Sequence, residues 1–411
     1  MDIIVQKFGG TSLASEEGRL AAVRHVEAAL LEHQKVVVVV SAMGRQGDVY
    51  ATDTLIGVIG EATYAARRDL DILMSCGEAI SAVTFATLLR RHGHEVTVLN
   101  GLQAGIVTDA QYGDARILDI RPQRIMEALE ASHVVVVMGF QGATLGGDIT
   151  TLGRGGSDTT AAALGAALQA KCVDIFTDVD GIMTADPKIV PNAGCLKSAS
   201  YTEICQLAHH GAKVIHPSAV EMAMTENVPI RVRNTLTRDP GTFIAERRLD
   251  SLGDTDQDFS VGGVTSSAET WYIKFEDAVT AQEALIDIQG MMGNTGYVDA
   301  ENADVVITPA SHNKPQVASL VTGWSTKAKV VKRCAKVAVI GYGKSALTRS
   351  VMQRAREALL VRGISVVFNG TAKHTAWCLV HPESMVLAVN VLHDEFGLSK
   401  LAQLAQRAVS V

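Results

Sequence analysis

Apolar residues in this chain fall into short continuous runs in the first part and looser alternation in the last. The runs Ile3–Val5, Val36–Val40, Val96–Leu99, Val134–Met138, Val173–Phe176 and Pro229–Val232 have strand length. They lack polar alternation, so each is expected to be covered on both faces. Helical patterns lie between them at Arg19–Glu32, Ala79–Arg91 and Thr202–His209. This alternation predicts an α/β domain over residues 1–245, a mostly parallel sheet sandwiched by helices. Ligands of such sheets gather beyond the carboxyl ends of the strands. Residues 246–260, which include LDSLGDTDQD, read as a linker. Over 261–411 the runs Thr270–Phe275, Val305–Thr308, Val337–Gly341, Ser365–Asn369 and Thr375–Val380 bracket two helices, Thr280–Met291 and Leu347–Arg362. That pattern predicts two small α+β modules, alike in layout more than in sequence.

Composition narrows the classes. A length of 411 residues, with 47% hydrophobic and 20% charged residues, suits a globular enzyme of two to four domains. A net charge of −7 without a basic stripe argues against nucleic acid as the main partner. The six cysteines form no CxxC pair, which points to reduced thiols in a cytoplasmic protein. The start, MDIIVQKFGGTS, is too short in apolar residues for a signal peptide. No segment is expected to reach the roughly 18 apolar residues of a membrane span, so no membrane partner is expected.

The strings that follow strand ends carry the chemistry. In TLGRGGSD the glycines Gly155 and Gly156 admit a ligand close to the backbone, and Ser157 and Asp158 open a helix whose N–H groups can hold an anion. Arg154 just before the turn can grip a carboxylate bidentately. In KFGGTS, Lys7 precedes Gly9 and Gly10, whose N–H groups can approach phosphate oxygens; the order is not that of the P-loop. SCGE sets Glu78 at an expected helix start, where it can take an ammonium or merely favour the helix dipole. Thr177 and Asp178 of FTDVDG can hold ribose hydroxyls or cap turns. Lys213 of GAKVIHP suits a helix end or a phosphate contact.

Taken together and in order, VQKFGGTS, VVVVVSAMG, SCGE, GFQGAT, TLGRGGSD, FTDVDGIMTADP, YTEICQLAHHGAKVIHP and VPIRVRNT resemble the amino acid kinase superfamily, and within it the aspartokinases. The loop GRQGDVYATD is similar to that of the diaminopimelate-sensitive aspartokinase I type. Residues 261–411 resemble that family's paired ACT modules in layout.

The resemblance implies transfer of a phosphoryl group from MgATP to the side-chain carboxylate of L-aspartate. It implies that Lys7 neutralises the moving group, Gly9 and Gly10 cradle phosphate, and Asp158 orients Lys7. Arg154, Glu78, Ser41, Thr52, Phe140 and Ser157 would then hold aspartate. Thr177, Asp178, Met183, Lys188 and Lys213 would meet the nucleotide. Mg²⁺ would ride on ATP oxygens and water, so no protein metal ligand is expected. A homodimer through the ACT-like modules is implied as well. The stretch VAVIGYGKSALTRSV departs from the family: it lacks the proline of the usual turn and carries Lys344, Thr348 and Arg349. Two other readings remain open, a related acyl-phosphate kinase for a different acid and an inactive amino-acid-binding regulator.

Overall fold

The computed structural model describes residues 2–32, 35–61, 64–212, 215–246, 260–292, 296–299, 302–309, 314–342, 348–372 and 374–399. The chain divides into two compact units. The first comprises Met1–Ile182, Cys195–Ala208 and Lys213–Thr255, and the second Met183–Gly194, His209–Ala212 and Asp256–Val411. Residues 247–259 of the expected linker, together with Lys213 and Lys344, lie outside the described residues.

The first unit holds strands β1 (Ile3–Phe8), β2 (Lys35–Val40), β3 (Val96–Leu99), β4 (Ile106–Thr108), β5 (Ile117–Ile120) and β6 (Val134–Met138). It continues with β7 (Gln141–Ala143), β8 (Ile149–Thr151), β9 (Val173–Thr177), β10 (Ser198–Ser200), β11 (Ile230–Asn234) and β12 (Thr242–Ala245). Its helices are α1 (Gly10–Ala14), α2 (Glu16–Leu31), α3 (Thr52–Gly57), α4 (Arg67–Arg91), α5 (Gln123–Ala131), α6 (Gly156–Ala167), α7 (Tyr201–His209) and α8 (Pro217–Thr225). The main sheet runs β10-β12-β11-β9-β1-β2-β6-β3. Every neighbouring pair is parallel except β11 with β12.

The valine run explains its centre. Val36 to Val40 are all fully buried, and β-branched side chains fill both covered faces of a parallel strand. One face packs Val36, Val38 and Val40 with Val23 and Val26 of α2 and Phe85 and Leu89 of α4. Helix α6 packs over β1, β2 and β9. β1 lies between β2 and β9, so the crossovers leave it in opposite directions. A crevice forms beyond the strand ends at such a reversal, and it collects KFGG, SAMG, GF and TDVD on one edge.

Helix α4 corrects two expectations. It begins at Arg67, not Ala79, so Glu78 sits in its middle rather than at a start. By length and composition it is also apolar enough to cross a membrane. Here it packs into the core and buries Asp71 and Glu78. The sequence pattern also missed a small sheet, β5-β4-β7-β8, whose strands are only three or four residues long.

The second unit repeats a strand–helix–strand–strand–helix layout. Its first copy is β13 (Ser260–Phe275), α9 (Ala278–Met292), β14 (Gly296–Asp299), β15 (Asp304–Ile307) and α10 (Lys314–Trp324). The second is β16 (Ala328–Tyr342), α11 (Thr348–Val361), β17 (Val366–Ala372), β18 (Thr375–Val380) and α12 (Met385–Glu395). This is the arrangement of paired ACT-like modules. One antiparallel sheet, β14-β15-β13-β16-β18-β17, spans both modules. Two helices, α10 and α12, escaped the sequence pattern. Each copy has its own apolar core, one around Ile273, Val305 and Trp324 and one around Val337, Leu359 and Cys378. The second core takes in Ala185 and Val190, which joins Met183–Gly194 to this unit.

Candidate active site

Lys7, the penultimate residue of β1, reaches the start of α6, where its Nζ lies 2.6 Å from Asp158 Oδ1. Only 12% of the lysine side chain and 14% of the aspartate are exposed. Partial burial strengthens the attraction relative to a surface pair. Asp158 is the third residue of α6, where the helix dipole favours its charge. A left-handed Gly155, φ 70°, opens that helix. Gly139, at the end of β6, donates to Val40 O at 3.0 Å. A Cβ there would fall 2.9 Å from Ser157 Oγ, so Ser157 lies against the same strand ends.

The KFGG turn is equally tight. Gly9 N–H donates to Phe176 O (3.3 Å), and Gly44 N–H to Gly10 O (3.0 Å). A Cβ on Gly10 would come within 2.6 Å of both Ala42 O and Gly44 O, so only glycine fits. A Cβ on Gly9 would lie 3.5 Å from Lys7 Nζ, which places the ammonium beside the turn. The SAMG loop is thereby fixed to β1, and Ser41 N–H also donates to Phe8 O at 3.2 Å.

Glu78 holds the same loop from below. Its Oε1 accepts from Ala42 N–H at 2.9 Å, while its buried Oε2 has no partner. Burial pushes its pKa up to about 8. An unpaired buried carboxyl oxygen is costly and is suited to a cationic ligand group. One residue earlier, Gly77 packs under Ala42, Tyr50 and Leu55, which sets the Thr52 end of α3 beside the helical turn that carries Glu78. Phe140 adopts φ 67°, unusual for an aromatic residue, and its N–H is held by Thr160 Oγ1 at 3.2 Å. Its ring edge covers Gly156, 2.8 Å from where a Cβ would sit.

Arg154 stands exposed between two left-handed glycines, Gly153 and Gly155. Thr177 ends β9 and donates to Asp178 Oδ1 at 3.1 Å. Asp178 in turn pairs with Arg45 of the SAMGR loop at 2.5 Å, an exposed contact that joins two strand-end loops. Met183 and Lys188 belong to the second compact unit.

Three contributors went unrecognised in the sequence. Arg45 is one. Asp71, wholly buried, accepts from Thr151 N–H (2.8 Å), Thr151 Oγ1 (2.9 Å) and Gly113 N–H (3.1 Å), and so anchors β8 just ahead of the glycine turn. Asp71 and Glu78 stand seven residues apart on one face of α4; two acids at that spacing in an apolar helix were the available signal. His216 is the third: its ring packs against Gly155.

Comparison with known proteins defines the class first. A model of the amino acid kinase family matches residues 2–234, more than half of the chain. An aspartokinase 1 of Bacillus subtilis is 43% identical over 405 residues, covering 97% of this chain and 100% of that protein. The chain belongs to the aspartokinase branch of the amino acid kinase family. Its fold matches E. coli aspartokinase III, solved in complex with aspartate and ADP, at a TM-score of 0.75 and 22% identity, covering 96% of this chain and 99% of that one. The aspartate kinase of Clostridium acetobutylicum matches at 0.74 and 20%, covering 96% and 100%.

Proposed function

We propose that this chain is an aspartate kinase, which transfers the γ-phosphoryl group of MgATP to the side-chain carboxylate of L-aspartate. A carboxylate oxygen attacks the γ-phosphorus, the bond to the β–γ bridging oxygen breaks, and ADP departs with its electron pair. The products are 4-phospho-L-aspartate and ADP. The substrate supplies the nucleophile, so the protein's work is alignment and neutralisation of charge. The Lys7–Asp158 pair at the start of α6 carries this reading. Lys7 neutralises charge on the transferring group, Asp158 keeps its ammonium in place, and the N–H groups of Gly9 and Gly10 receive phosphate oxygens.

Glu78 receives the aspartate ammonium on its unpaired oxygen, and Arg154 takes a carboxylate. Ser41, Thr52, Phe140 and Ser157 close around the amino acid. Thr177 and Asp178 face the nucleotide. Among the described residues no group of three or more His, Cys, Asp or Glu is disposed around a common metal point. Mg²⁺ travels with the nucleotide phosphates as part of the substrate. Family membership supports a cytoplasmic enzyme that works as a homodimer through the ACT-like unit.

The test is a panel of amino-acid carboxylates with MgATP, with the acyl phosphate trapped by hydroxylamine. Hydroxamate is expected from L-aspartate. Turnover of glutamate in its place would point to a related acyl-phosphate kinase, and absence of hydroxamate from every acid to an inactive regulator.

A further inference from the structure

His216 is not used by the proposed chemistry, yet its ring is built into the aspartate turn. It is the N-cap residue of α8, with extended backbone (φ −75°, ψ 135°) and no capping bond of its own. Its Cγ lies 2.2 Å from where a Cβ on Gly155 would sit, so the imidazole packs directly on the Gly155 backbone. Nδ1 lies 2.7 Å from Ser218 Oγ, and Ser218 Oγ lies 3.0 Å from Thr159 Oγ1 on α6. Thr159 Oγ1 donates to Gly155 O at 3.2 Å, and Thr159 N–H reaches the same oxygen at 3.0 Å.

The three side chains form one continuous chain of hydrogen bonds, from His216 Nδ1 through Ser218 Oγ to Thr159 Oγ1, whichever way its protons point. The relay starts and ends at the same glycine: the ring presses on its Cα side and the hydroxyls hold its carbonyl. Gly155 is left-handed at φ 70° and immediately follows Arg154. A left-handed turn of one residue is easily lost to other conformations unless its surroundings fix it.

We infer that His216 is a positioning residue for aspartate: through Gly155 it holds the turn that aims Arg154 and the first N–H groups of α6. This inference rests on the aspartate kinase reading. The imidazole also stands in the site's own field. Burial lowers its pKa, a shift opposed by the carboxylates of Asp158, Glu221 and Asp114 and reinforced by Arg154.

The experiment compares His216→Ala, His216→Asn and Ser218→Ala with wild type, each measured for KM of both substrates, kcat and Tm. The asparagine amide can donate or accept near the place of Nδ1, so it rescues a positioning role. His216→Ala is expected to raise KM for aspartate about tenfold, with KM for ATP changed by less than about twofold, and Ser218→Ala to raise it about threefold. His216→Asn should recover most of the loss. Aspartate and ATP constants that rise together with falling Tm would reduce His216 to a structural role and overturn the inference. So would an unchanged aspartate KM in Ser218→Ala, the variant that still decides the matter if His216→Ala does not fold. Hydrogen exchange over residues 153–158 reads the same turn without substrate, and about tenfold faster exchange is expected in His216→Ala with the Val134–Met138 strand unaffected. Normal exchange there overturns the inference even if wild type proves inactive, whereas an inactive wild type with altered exchange in the variant sinks only the aspartate kinase reading.

Discussion

Glu78 ties the stability of the fold to pH through one buried carboxyl group. Its side chain is 2% exposed and its pKa is pushed from 4.5 up to about 8 by burial. The folded protein therefore keeps a proton that the unfolded chain releases near 4.5, and stability falls as pH rises between those two values. Glu78→Gln removes that dependence. Its Tm is expected to match wild type near pH 5 and to exceed it by about 3 °C at pH 9. In the proposed complex the same change removes the partner of the substrate ammonium, so KM for aspartate should rise about 30-fold. In wild type the ammonium favours the ionised carboxyl, and KM for aspartate should fall as pH rises toward 8. A calorimetric pH series alongside kinetics checks both, and a Tm gap independent of pH would contradict the assigned burial cost. Lys7 makes a simpler prediction. In the proposed reaction Lys7→Ala removes charge where the phosphoryl group moves, so kcat should fall about a thousandfold. Turnover near wild type would refute its role.

At the scale of elements, the site depends on turns in which Gly10 and Gly155 leave no room for a side chain. β1 ends in KFGG, and the loop after β2 is laid over Gly10 so closely that two carbonyl oxygens occupy the space of a methyl group. Gly10→Ala must push the Ala42–Gly44 loop away from α1, and kcat/KM is expected to fall about a hundredfold. Gly323 in α10 is the matched control, since a Cβ there meets nothing within 4 Å. Gly323→Ala should add about 0.5–1 kcal/mol of stability in denaturant titration and leave kcat alone. Equal loss in both variants would mean that the Gly10 contact is not special. The long helix α4 contributes through a different property, its stiffness. It carries Asp71 to β8 and Glu78 to the SAMG loop on one rigid face, so β8 and that loop share a single support.

At the scale of the molecule, the shared sheet of the second unit ends in β14 on one side and β17 on the other. Edge strands present unpaired backbone groups that a second copy can satisfy. Light scattering of the purified chain is expected to give twice the 43.6 kDa of one copy. A mass of one copy at micromolar concentration would remove the homodimer from the proposal. Arg349, singled out at the divergent turn of this unit, is exposed near the start of α11.

The sequence by itself determined six of the eight strands of the main sheet, all but the short β10 and β12, and the strings that follow them. Uninterrupted apolar runs such as Val36–Val40 can be satisfied only when covered on both faces, and turns such as KFGG and GRGGSD announce themselves by glycine. It also carried the family, because ordered combinations of short strings are specific where each alone is not. It did not determine how far α4 extends, because over Arg67–Glu78 the helix buries Asp71, Ser75, Gly77 and Glu78 rather than an apolar stripe, and only tertiary packing supplies partners for such a face. It did not give the joining of the two modules into one sheet, since pairing that runs from Phe275 with Ala328 out to Ser260 with Tyr342 leaves no local mark. Nor did it give the role of His216, whose contact with Gly155 spans 61 positions and exists only because α6 and α8 start side by side. Local chemistry is written in neighbouring residues; which distant groups share a hydrogen bond or a buried charge is decided when the chain closes on itself.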